Sequence, residues 1–113
     1  MEQNFDMIYL FGFSPRYGNE LNRLLPIIRN HLQKGRPIGM VLIHDGVIGA
    51  SSKGKMTTSM EQLGNLNFKL YVMKPDLKAR GIPLEHTHEN VKPIEYAELI
   101  DLLDSSQKII SWM

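Results

Sequence analysis

The sequence predicts an α/β fold with a mostly parallel sheet of four to five strands and helices on both faces. Three observations predict it. Short, nearly continuous apolar runs recur along the chain, as in strands buried on both sides. Between them, apolar residues fall at helical spacing. The two kinds of segment alternate, which favours parallel strands joined by right-handed crossovers.

The elements follow in order. Met7 to Phe13 is an apolar run rich in aromatics that stops at Ser14-Pro15, a first strand. Leu21, Leu24, Leu25, Ile28 and Leu32 give a helical stripe that Gly35 ends, with Pro26 inside it as a point of strain. Pro37 to Ile43 is a second buried strand. A polar loop, 51 to 57, follows. Thr58-Ser59-Met60-Glu61 has the form of a capping box and predicts a short helix to about Leu63, closed by Gly64-Asn65. Asn67 to Met73 is the third strand. Pro75-Asp76 opens a brief helix that Gly81 stops. Residues 82 to 92 read as a loop with room for one short strand. Ile94, Tyr96, Leu99, Ile100 and Leu103 form a last helical stripe, with Glu95, Glu98, Asp101 and Asp104 on its solvent side. Lys108 to Met113 closes the chain as a strand.

Bulk properties narrow the function. A chain of 113 residues fits one domain spanning 1–113. A net charge of +1 argues against a polyanion binder recognised by bulk charge alone. The chain has no cysteine, which removes disulfides, thiolate metal sites and a cysteine nucleophile. The polar start Met1-Glu2-Gln3-Asn4 has no signal-peptide form, and the longest apolar run is far short of the roughly 20 residues of a membrane helix. These features predict a cytoplasmic protein without a membrane segment.

In open α/β sheets, ligands bind beyond the carboxyl ends of the strands. That rule selects Ser14, Arg16 and Tyr17 after the first strand, His44, Asp45, Gly46, Lys53 and Lys55 after the second, and Lys74 after the third. The expected edge is polar and locally basic. Asp45-Gly46 is most simply a turn, the glycine supplying an unusual backbone angle. His44 beside Asp45 would be poorly set for acid–base work, since neighbours on a strand point to opposite faces.

Residues 49 to 55 match G-x-x-x-x-G-K, but Met56 stands where a phosphate loop needs the hydroxyl that holds magnesium. A phosphate- or nucleotide-binding loop is therefore the weaker alternative, and a stand-alone homo-oligomeric interaction protein is another. His86 and His88, with Glu89, share the look of a metal site but lie in a surface loop, and no metal or cofactor is assigned. Met56 and Met60 are expected to fill apolar gaps.

Taken together, several stretches resemble one family. They are Ser14-Pro15, Asp45-Gly46-Val47 with Ala50, the run from Asp76 to Ile82, Ile94-Glu95-Tyr96, Asp101-Leu102 and the ending from Lys108 to Trp112. In this order and spacing they resemble the DsrH/TusB family of the DsrE-like sulfur-relay superfamily, over nearly the whole chain. The resemblance implies a three-layer α/β/α domain. It also implies a cytoplasmic subunit of a homo- or hetero-oligomer with DsrE- and DsrF-like (TusD- and TusC-like) sister subunits. Such assemblies pass persulfide sulfur toward 2-thiouridine in tRNA or into sulfur oxidation, and any tRNA contact would run through the complex. Many members carry a cysteine in the first helix, near the position of Arg23-Leu24. This chain has none, so the resemblance implies an accessory, non-catalytic subunit. A persulfide requires a thiol that can ionise and attack sulfur.

Overall fold

The computed structural model describes residues 5–16, 18–54 and 56–113. Five strands form one sheet in the order β4-β3-β2-β1-β5. They are β1 (Met7–Phe11), β2 (Ile38–Leu42), β3 (Lys69–Met73), β4 (Lys92–Ile94) and β5 (Lys108–Trp112). Every neighbouring pair runs parallel: Met7 lies beside Ile38 on one side and Lys108 on the other. The helices between them are α1 (Glu20–Gln33), α2 (Thr58–Gly64), α3 (Lys74–Ala79) and α4 (Tyr96–Ser105).

The two-residue alternation of β1 divides the core. Met7, Tyr9 and Phe11 point to one face, where they pack with Leu21, Leu24, Leu25 and Ile28 of α1, Met60 and Leu63 of α2, and Leu77 of α3. Ile8 points to the other face, into a smaller core with Val41, Tyr71, Ile94 and Leu102 of α4, with Leu10 packed partly against it. Helices therefore cover both faces in three layers, heavily on one side and with α4 alone on the other. β2 is buried along its whole length, which is why its sequence is apolar without alternation.

The element boundaries shift by small amounts with definite causes. β1 ends at Phe11, two residues before the apolar run does, because Gly12 and Phe13 leave the ladder after one last backbone bond from Gly12 to Trp112 (2.9 Å). α1 runs through Pro26 as a single helix, with the proline on its exposed side. The capping box expected from Thr58 is replaced by Thr57, whose hydroxyl accepts from the Met60 N–H at 3.3 Å. A capping box does form, at α4: the Glu95 side chain accepts from the backbone and Glu98 accepts from the Glu95 N–H. Ile94, assigned by its spacing to the last helix, lies instead in β4, and its burial comes from the sheet. β4 is thus the short strand for which the 82–92 segment had room, displaced slightly toward the C-terminus.

Candidate functional site

The carboxyl ends of β1, β2 and β3 bring most of the expected residues to one edge, in two separate groups. The first group surrounds the exit of β2. Instead of a turn, residues His44–Ala50 form a 3₁₀ helix. The unusual backbone angle belongs to His44, with φ of +50°, and not to Gly46. Gly46 is required for another reason. A Cβ there would stand 2.2 Å from the Phe11 carbonyl oxygen, so only glycine lets the helix start flush against the end of β1.

The left-handed His44 is held by its own N–H, which donates to the Asp76 carboxylate at 2.9 Å. Asp76 sits in the first turn of α3. One turn further, Arg80 pairs its Nε with Asp45 at 3.1 Å and reaches back to the Asp76 carbonyl at 3.3 Å. A hydrogen-bonded chain thus runs His44–Asp76–Arg80–Asp45 and ties the exit of β2 to that of β3. His44 supplies its backbone to this chain, and its imidazole lies on the exposed surface.

The second group surrounds the exit of β1. The Ser14 hydroxyl accepts from the Arg16 N–H at 3.3 Å. The Arg16 guanidinium donates to the Lys53 carbonyl at 2.6 Å, and the left-handed Gly54, with φ of +80°, lies close by. Arg16 and Lys53 are both exposed. Tyr17 and Lys55 lie outside the described residues.

These contacts alter the expected picture of a basic groove. Lys74 opens α3 and forms an exposed ion pair with Glu95 at 3.8 Å. Asp45 and Asp76 offset Arg80. Among the described residues, positive charge at the edge therefore concentrates at Arg16 and Lys53. The sheet order reverses at β1, between β2 and β5, where a crevice is expected. There the Met113 side chain packs against Gly12, with its Cγ 3.1 Å from where a Cβ would stand. A cleft of about 730 Å³ opens elsewhere, beside α3. Pro75, Leu77, Ile82 and Leu84 line it, with Lys74 and Glu95 at its wall.

In the stretch that matches a phosphate loop, the described residues make packing and backbone contacts of their own. Its first glycine, Gly49, lies in the last turn of the 3₁₀ helix, wedged against Pro15 and Met60, where a Cβ would lie 2.6 Å from Pro15 Cγ. Ser51 bridges to Thr87, and Thr57 spends its hydroxyl on capping α2. The same bridge docks the histidine segment: Ser52 N–H donates to the His86 carbonyl at 2.6 Å and His88 N–H to the Ala50 carbonyl at 2.9 Å. No group of three or more His, Cys, Asp or Glu suited to a metal ion occurs among the described residues.

Sequence reasoning missed Asp76, Arg80 and Glu95. The signal was present for the first two. An acid and a base four apart, directly after a strand, share one helix face at the carboxyl edge.

A small all-parallel α/β/α domain, carrying a polar and largely charge-paired carboxyl edge, is the class of protein that this fold and site define. Comparison with known proteins gives the family. The family model described as DsrH like protein matches residues 14–109, most of the chain, and the chain belongs to that family. Protein TusB of Pectobacterium parmentieri is 36% identical over 73 residues, covering 65% of this chain and 73% of that one. Among solved structures, the ychN protein from E. coli superposes with a TM-score of 0.78 over 96% of this chain and 99% of that one, at 19% identity. MTH1491 from Methanobacterium thermoautotrophicum, described as a protein of unknown function, does so with a TM-score of 0.69 over 93% and 99%, at 12% identity. These two likenesses bear out the three-layer α/β fold. Among the described residues no helix is long and apolar enough to cross a membrane.

Proposed function

We propose that this chain is an accessory subunit of a DsrE-like sulfur-relay complex, with the sulfur-carrying cysteine on a partner chain. The observation that carries the reading is the absence of any cysteine in a member of the DsrH family. Sulfane sulfur is carried by a thiolate that attacks and is attacked at sulfur, and no other side chain here does that chemistry. The partners are DsrE- and DsrF-like (TusD- and TusC-like) chains in the cytoplasm, and the sulfur passes toward tRNA 2-thiouridine synthesis or sulfur oxidation.

The carboxyl edge gives this subunit something to contribute. Arg16 and Lys53 are both exposed, and the Arg16 guanidinium donates to the Lys53 backbone carbonyl. A partner's cysteine brought near them would have its thiolate favoured over the thiol. The His44–Asp76–Arg80–Asp45 chain fixes the rest of the edge and supplies no free nucleophile. The nucleotide-binding alternative is less well supported, because Gly49 and Thr57 are already committed to packing and capping.

Co-expression with the cysteine-bearing sister chains of the same cell tests the reading. The expected outcome is a stable complex recovered through a tag on any one chain. Failure of this chain to join a complex with any of those homologues would sink it.

A further inference from the structure

The sheet has two edges, and they are built differently. β4 is three residues long and contains Pro93, which has no N–H to offer. Short length and proline are how sheets block unwanted pairing. β5 has neither protection: it spans five residues, without proline, and among the described residues it pairs on one side only, with β1.

The hydrogen bonds show which backbone groups β5 leaves open. Lys108 N–H donates to Asp6 and the Trp112 carbonyl accepts from Gly12, so Lys108, Ile110 and Trp112 address β1. By alternation, the N–H and C=O groups of Ile109, Ser111 and Met113 point outward. Ile109 is 47% exposed and Met113 58%. Ile109 lies beside Ile8, on the face that α4 covers only in part.

We propose that β5 pairs antiparallel with β5 of a second copy of this chain, extending the sheet across a two-fold axis at Ser111. The occupant follows from self-complementarity. An antiparallel ladder joins residues that both point outward. The register that uses all three such residues sets Ser111 opposite itself and Ile109 opposite Met113. The intervening pair is Ile110 with Trp112, a β-branched residue against an aromatic. Lys108, the one charged residue of the strand, falls outside the paired segment, so no like charges meet. A closed two-fold contact of this kind uses the β5 edge of each copy and leaves only the short, proline-bearing β4 edges unpaired. The inference does not depend on the relay reading, since it concerns the chain alone.

Solution mass against concentration, for the full chain and for Ser111→Pro, tests the pairing. Proline at Ser111 removes an outward N–H and leaves the β1 ladder intact. The expected result is a reversible dimer whose dissociation constant rises about tenfold or more in the variant. A wild-type chain that stays monomeric, or a dimer indifferent to the substitution, overturns the proposal. Amide exchange in the unmodified chain gives an independent reading should the variant fold poorly. Protection of Ile109, Ser111 and Met113 should grow with concentration. Exchange rates unchanged by concentration, or protection only when a different chain is added, overturn it as well.

Discussion

At the scale of single residues, the structure turns on close approaches that composition does not reveal. Gly46 gives the clearest prediction. Its missing Cβ is what lets the 3₁₀ helix start against the Phe11 carbonyl, a backbone atom that cannot swing aside. Gly46→Ala should lower stability by about 1–3 kcal/mol, read as a lower denaturant midpoint at unchanged slope. The glycine was legible in the sequence as a special position, but for the wrong reason: the left-handed residue is His44.

A second residue-scale prediction concerns His31. The buried Tyr9 hydroxyl lies 2.6 Å from His31 Nδ1. Burial raises the Tyr9 pKa, keeping the phenol neutral and able to donate. Burial, and then Arg36, Lys34 and Lys108, lower the His31 pKa below its ordinary 6.5. The unfolded chain therefore takes up this proton more readily than the folded one. The resulting stability is fully present above pH 6.5 and is lost as pH falls from there toward the lowered folded value. Thermal melts should show His31→Gln less sensitive than the wild type between about pH 7 and about pH 5. Equal slopes for both proteins would contradict the assignment.

At the scale of elements, the four helices differ in how firmly the sheet holds them. α1 buries four side chains, while α4 buries one fully, Leu102, with Leu99 and Leu103 beside it. Leu102→Ala should cost about 2–5 kcal/mol and open the lightly covered face, seen as increased binding of a hydrophobic dye. Ile100→Ala, on the exposed side of the same helix, should change stability by no more than about 0.5 kcal/mol. The helix was legible, but its apolar stripe was misassigned: the spacing chose Tyr96 and Ile100, which are exposed, and passed over Leu102, which is buried, because all are apolar and only the packing of the sheet decides which face turns inward. The capping residue of α2 was misplaced by one position for a similar reason. Thr57 and Thr58 are the same residue type, and only the path of the chain decides which hydroxyl meets the Met60 N–H.

At the scale of the whole molecule, the relay reading predicts that the isolated chain acquires no stable sulfane sulfur. Intact mass measured after incubation with a persulfide donor should show no added sulfur on this chain, while a cysteine-bearing sister chain gains it. A sulfur adduct here would refute the supporting role. That prediction rests on composition, and the strand and helix alternation that specified the fold class rests on the order and spacing of apolar residues. Apolar runs and helical stripes record which surfaces are buried, and burial is the term that dominates folding. Other features depended on groups distant in sequence meeting in space. The sheet order, the partial cover of one face, the link from His44 through Asp76 and Arg80 to Asp45, and the open side of β5 are all of this kind. Hydrogen-bond direction and steric contact belong to pairs of residues, and a linear sequence states only its members.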